Sequence, residues 1–296
     1  MELLETLKRK IESANDLQSV VRTMKVMASA SIREYEHAVE SLDEYNSTIE
    51  MGLQIVMRNM PEGMTAARNV EKNRLGAIVF GSERGMCGQF NEVITYYAID
   101  SMDKLGIMPD KRTILALGER LIVRLEESGQ TVKERFPIFG SHVDITSIMQ
   151  EVLIKIEEWR LQERIDQIVL FYNRPASGAS FRPNMLYLLP FDMDWFQELG
   201  NKKWPSRTLP TFTMDWDRLF SSLVRQYLFV SLYRAFVESL ASENISRLFS
   251  MQNAENNIDE RLKELNAQFH HQRQTSITAE LFDIVTGFEA VTGGKR

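Results

Sequence analysis

The chain has 296 residues, 44% of them apolar and 26% charged, which describes a folded protein long enough for two ordinary domains. A formal net charge of −6 excludes a global attraction to nucleic acid or to an acidic membrane surface. The one cysteine, Cys87, excludes an internal disulfide and fits a reducing compartment, and no run of 18 apolar residues offers a membrane span.

The opening, MELLETLKRKIE, lacks the apolar region of a secretion signal, so no targeting address is expected. Met1 to Met51 contains neither glycine nor proline, and the same holds for Thr211 to Thr286. All eight prolines and eleven of the fifteen glycines lie between Pro61 and Pro210. Because these residues are the commonest helix breakers, two long terminal helices enclosing a globular insert are predicted. The first runs from about Leu3 to Arg58. Its apolar and small residues Leu17, Val21, Met24, Ala28, Ser31, Tyr35, Ala38, Leu42, Tyr45 and Ile49 step by 4 and 3, as a coiled-coil seam does. Leu4, Leu7, Ile11 and Ala14 join this seam through a three-residue step, a stammer that would overwind the coil locally. Lys8, Arg9, Lys10, Arg22, Lys25 and Arg33 make the helix basic, suiting either solvent or an acidic partner.

The insert alternates apolar strands with helices. Arg74 to Gly81, Arg112 to Gly118, Asp166 to Asn173 and Asn184 to Pro190 read as strands; Asn91 to Leu105, Glu119 to Glu127 and Ile145 to Trp159 read as helices. That order argues for an α/β layer with a mainly parallel sheet, and TVKERF adds a short edge strand. After it, a helix from Asp215 to Val291 carries a stripe at Ile258, Leu262, Leu265 and Phe269. A second stripe follows at Ile277, Leu281, Ile284, Phe288 and Val291, displaced by a slip at HHQRQTS. At 1.5 Å per residue the two helices measure roughly 84 and 115 Å, far beyond the roughly 30 Å of a small domain. An antiparallel two-helix shaft with the α/β domain hung between its strands is the simplest architecture; several shorter bundle helices are the alternative.

The stretch LGAIVFGSERGMCGQFN, a strand passing through a glycine-rich turn into a helix, has the outline of a phosphate cradle. Yet GSERGMCG fits neither G-x-x-x-x-G-K-[ST] nor G-x-G-x-x-G, and it offers no lysine or hydroxyl placed for a metal-bound nucleotide. Cys87 has no base beside it in sequence and reads as a buried small residue. His270 and His271 point about 100° apart on a helix and cannot chelate one ion.

Four ordered motifs resemble those of the gamma subunit of F-type ATP synthases: LKRKIESANDLQSVVRTMKVMASASIR, GSERGMCGQFN, ESLASENISRLFSMQNAENN and RQTSITAELFDIVTGFEA. Two departures are a phenylalanine at Phe288, where the family has a small residue, and Ser31 near where it has a lysine. The resemblance implies a long antiparallel coiled coil with an inserted Rossmann-like α/β domain, divided as residues 1–60, 61–210 and 211–296. It implies a rotor with no catalytic site, cofactor or metal of its own, present once per complex. Its partners would be the hexamer of alpha and beta subunits, the epsilon subunit and the membrane c-ring, with no nucleic acid. The complex would lie on the cytoplasmic side of the cell membrane, where stammer, slip and small-residue stretch would make the shaft asymmetric. Carried over by motif, Met24 and Lys25 lie near the beta subunit's acidic lever, as does the turn of Arg84, Gly85, Cys87 and Gly88. Within the closing signature, Arg273, Gln274, Thr278 and Glu280 match the residues that would contact the hexamer. Outside the resemblance stand a nucleotide-binding enzyme with helical arms and an unrelated coiled-coil tether.

Overall fold

The computed structural model describes residues 2–61, 74–138, 145–165, 167–177, 180–191, 193–204 and 206–292. The terminal helices α1 (Glu2–Arg58) and α6 (Trp216–Thr292) run unbroken for 57 and 77 residues, so the reading of several shorter bundle helices falls. Between them come β1 (Leu75–Phe80), α2 (Phe90–Lys104), β2 (Arg112–Leu117), α3 (Glu119–Glu127), β3 (Val132–Phe136), α4 (Ile145–Gln162), β4 (Gln167–Ala176), β5 (Ser180–Leu189) and α5 (Met193–Asn201). The chain divides into two compact units. One is Met1–Met27 with Leu248–Arg296; the other is Ala28–Arg247.

In the larger unit the sheet order is β3-β2-β1-β4-β5. The first four strands are parallel, and β5 returns antiparallel beside β4. The apolar runs of β1, β2 and β4 are buried on both sides over most of their length, as strands covered by crossover helices must be, whereas β5 at the edge leaves Leu186 and Tyr187 exposed. Ala77, Val79, Ala116, Val169 and Phe171 pack against α2 and α3; Ile78, Phe80, Leu117 and Leu170 pack against α4 and α6. TVKERF forms the edge strand β3. Its Lys133, Glu134 and Arg135 pair with Glu163, Lys155 and Glu126, a charged rim that discourages further strand pairing. Helix α5 was not foreseen. Its Phe196 and Leu199 bury themselves against Leu53 and Met57 of α1 and Phe220 of α6.

The two long helices are antiparallel in each unit. In the smaller one Gln18 bonds Asp259, while Lys25 reaches Gln252; in the larger one Tyr45 bonds Gln226, and Trp216 bonds the carbonyl of Val56. The seam, however, differs from the expected one. Leu7, Val21, Ala28, Ile49 and Val56 are buried, with Ala14, Tyr35 and Leu42 half-buried between them, one residue in every seven. The second column lies four residues after each, at Ile11, Gln18, Lys25, Ile32, Val39, Asn46 and Leu53, all buried or half-buried. Met24, Ser31 and Ala38 of the expected seam are half-buried as well, so it departs only at Leu17 and Tyr45, which are 54% and 47% exposed. The heptad therefore continues from Leu4 to Val56 without a stammer. The physical reason lies across the seam, where Asp259 and Glu255 give Gln18 and Lys25 polar partners.

The slip at HHQRQTS is also absent. After Met251, Ile258 and Leu265, the same frame continues through half-buried Phe269, Gln272 and Ser276. Ile277, Leu281 and Ile284 are exposed, and the side chains of Phe288 and Val291 lie outside the described residues. The constant register of the Gln18–Asp259 and Lys25–Gln252 pairs sets Glu2 opposite about residue 275, so α6 continues beyond the end of its partner.

Candidate functional site

The glycine-rich turn after β1 is filled by protein. A Cβ on Gly81 would meet the Cβ of Leu121 at 2.2 Å, so its glycine serves the close approach of α3. The Ser82 N–H donates to Asn91 Oδ1 at 3.0 Å, and Asn91 Nδ2 returns a bond to Ser82 Oγ at 2.7 Å. Ser82 Oγ in turn lies 3.4 Å from Cys87 Sγ. Cys87 is buried, and burial pushes its thiol above the ordinary cysteine range, which removes the thiolate a nucleophile needs. Glu83 accepts from the N–H groups of Glu119, at 3.1 Å, and Ile138, at 2.9 Å, fixing the turn to the start of α3.

On its other side the turn rests on α6. Ser246 donates to the Cys87 carbonyl at 2.5 Å. Beside it, Glu243 is buried and ion-paired with Arg247 at 2.5 Å. Burial pushes the Glu243 carboxyl up, while Arg247 and, more weakly, Arg84 oppose the shift. Arg84 and Gly88 are exposed and Gly85 is half-buried, so the turn presents its outer rim with its inner side bonded to the helix.

In the smaller unit, Met24 is half-buried beside Val21, Met251 and Ile258. Lys25 Nζ donates to Gln252 Oε1 at 3.0 Å and to Glu255 Oε2 at 2.6 Å, and Arg22 Nε reaches Glu255 Oε1 at 2.8 Å. Hydrogen bonds from Lys25 and then Arg22 hold the Glu255 carboxyl below its ordinary range. Part of the basic stripe is thus used within the coil. Arg9 and Lys10 instead line a groove with Arg261 and Leu265. Arg273, Gln274, Thr278 and Glu280 are all exposed on α6, where the Thr278 hydroxyl donates to the Gln274 carbonyl at 2.9 Å. The predicted residues accordingly fall into three sets: a turn bonded to α6, a pair inside the coil, and an exposed group near the helix end.

A family model described as ATP synthase matches residues 3–291. The ATP synthase gamma chain of Syntrophus aciditrophicus is 27% identical over 305 residues, covering 99% of this chain and all of the relative. That of Buchnera aphidicola is 26% identical over 290 residues, covering 97% of each. The chain belongs to the ATP synthase gamma-chain family. Among solved structures, a chain of the Euglena gracilis mitochondrial ATP synthase assembly of OSCP, F1 and c-ring superposes with a TM-score of 0.67 at 17% identity, covering 100% of this chain and 96% of that one. A chain of the same organism's rotor gives 0.64 at 15% identity, covering 93% and 99%. Both share the fold of terminal helices around a central sheet. Within this family frame, the residues that the motif reading left without a role are Glu243, Ser246 and Arg247 on α6 and Asn91 at the turn. The signal for the three on α6 is in ESLASENISRLF, where polar residues recur in a helix segment that is otherwise apolar, and Asn91 closes GSERGMCGQFN.

Proposed function

We propose that this chain is the rotor subunit of a rotary F-type ATP synthase, turning within a hexamer of alpha and beta subunits and carrying no catalytic site of its own. ATP chemistry belongs to the beta subunits, and the sheet-bearing unit binds the epsilon subunit and the membrane c-ring. The observation that carries this reading is the end of α6. Ile277, Leu281, Phe282, Ile284 and Val285 are all about half or more exposed on a helix that has outrun its partner. Such an apolar end in water calls for a sleeve, and the cavity of a hexamer supplies one. Arg273, Gln274, Thr278 and Glu280 lie beside that end and form its polar contacts with the hexamer. The rim of the turn at Arg84, Gly85 and Gly88 and the coil face at Met24 and Lys25 meet the lever of beta; Cys87 is buried behind that rim and drops out of the contact set. Because Lys25 is already paired with Glu255, its contribution there is to hold the coil's shape rather than to offer a free charge.

The rotor's asymmetry then comes from the polar pairs Gln18–Asp259 and Lys25–Glu255 and from the single-helix end, in place of a stammer and a slip. No helix among the described residues is long and apolar enough to cross a membrane. As the rotor of such a complex, the chain is held peripherally through its partners on the cytoplasmic side of the membrane. Native mass spectrometry of the chain coexpressed with alpha and beta subunits is expected to give one copy per three of each. Two copies, or saturable micromolar binding of ATP by the isolated chain in equilibrium dialysis, would overturn the assignment.

A further inference from the structure

The polar residues of α6 at Glu238, Ser242 and Ser246 stand at i, i+4 and i+8, one above another at intervals of about 6 Å. All three are buried. Each meets a different part of the sheet-bearing unit. Glu238 Oε2 lies 3.3 Å from Arg174 Nε at the end of β4. The Ser242 hydroxyl shares its hydrogen between the Asn173 carbonyl of β4, at 3.0 Å, and the Glu238 carbonyl, at 2.8 Å. Ser246 donates to the Cys87 carbonyl at 2.5 Å, and Asn173 Nδ2 closes the set by donating to the Phe90 carbonyl at 3.0 Å. From α1, Asp43 joins the row through Arg234, which bonds both Asp43 and Glu238.

Around this row the contact of α6 with the sheet is apolar, made by Leu232, Ala235, Phe236 and Leu240 on Phe80, Leu170 and Tyr172. Apolar burial is non-directional, so it holds the helix down while doing little to fix its rotation about its own axis. Hydrogen bonds depend steeply on angle. We propose that Glu238, Ser242 and Ser246 act as positioning residues, a key that fixes the rotation of α6 against the sheet so that torque passes from one to the other. This rests on the rotor reading. Residues 238–246 and the sheet belong to one compact unit, and α6 continues beyond it as the same helix.

The test uses the full chain carrying Ser242→Ala with Ser246→Ala, changes that keep the apolar packing and remove only the hydroxyls. In the isolated chain, amide exchange in residues 82–91 and 173–176 is expected to rise at least about tenfold with a melting temperature shifted by less than about 3 °C. In the complex with alpha, beta and the membrane sector, ions pumped per ATP against a gradient are expected to fall at least about twofold, with hydrolysis at zero gradient reduced far less. Unchanged exchange, or an unchanged pumping ratio in an assembled complex, overturns the key. Equal loss of hydrolysis and pumping, with loss of assembly, overturns it too, because that pattern marks a merely structural role. If the wild-type chain fails to join the hexamer, the rotor reading and the torque role fall together, and the exchange measurement on the isolated chain tells that failure from failure of the bonds themselves.

Discussion

Arg247 and Arg273 are the same side chain on the same helix in opposite surroundings. Arg247 is mostly buried and bonded to Glu243, which is itself buried. Removing one partner of such a pair leaves an uncompensated buried charge and costs about 3–5 kcal/mol. Arg273 stands in solvent next to exposed Gln274, and nothing in the coil depends on either. The double change Arg273→Ala with Gln274→Ala is therefore expected to leave helix content and melting temperature of the isolated chain within about 1 °C of the original. If the two residues bond a hexamer loop, as proposed, each charge-assisted bond is worth roughly 1.5–3 kcal/mol there. ATP synthesis and multisite hydrolysis by the assembled complex should then drop at least tenfold. Equal activity would remove both residues from the contact set, and a large fall in the isolated chain's stability would make them structural.

At the scale of elements, Glu255 joins α1 to α6 through Lys25 and Arg22, and its depressed pKa makes that joint sensitive to acid. The folded value lies below the ordinary carboxylate value of about 4.3, so the stabilisation is fully present above that value. It is lost as pH falls through the lower folded value. Circular dichroism of the full chain between pH 6 and 3 should accordingly show the coil weakening with acid in the wild type and weakening less in Glu255→Gln, which lacks the titrating group. Parallel acid profiles would show that the ion pairs contribute nothing to the coil. This cross-seam joint also explains what could be read from the sequence. Glycine and proline placement located the unbroken helices, and apolar runs located β1, β2 and β4, because both signals are local. The seam was not local. Leu17 and Gln18 flank the same column three and four residues after Ala14, and sequence alone favours the leucine. Only Asp259, more than two hundred residues away, makes the glutamine the inward residue. Helix α5 escaped for a related reason: its Phe196 and Leu199 acquire a core only when both long helices supply one. Of the site, the turn and the closing signature were legible as motifs, whereas the bond from Ser246 to the Cys87 carbonyl depends on α6 lying against a loop far away in sequence.

For the whole molecule, the exposed end of α6 separates the needs of folding from those of assembly. Beyond Ser276 the described side chains through Gly287 are exposed, including the large apolar residues Ile277, Leu281, Phe282, Ile284 and Val285. A chain ending at Ser276 should therefore fold as the full one does, with an unchanged melting temperature and a lower tendency to aggregate, since a contiguous apolar surface is gone. In a hexamer the balance reverses. Burying the exposed parts of those five side chains is worth roughly 1 kcal/mol each, or about 5 kcal/mol in all, before the costs of association are subtracted. Even a third of that gain corresponds to about a tenfold change in affinity. Titration of full-length and shortened chains against a preformed alpha–beta hexamer should show weaker binding of the shortened chain by at least that factor, mainly through faster dissociation. Equal affinity would place the apolar end outside the cavity and remove the observation on which the rotor assignment leans most. A shortened chain that fails to fold would instead show that the end of α6 is covered within the chain itself, contrary to the exposure of its side chains.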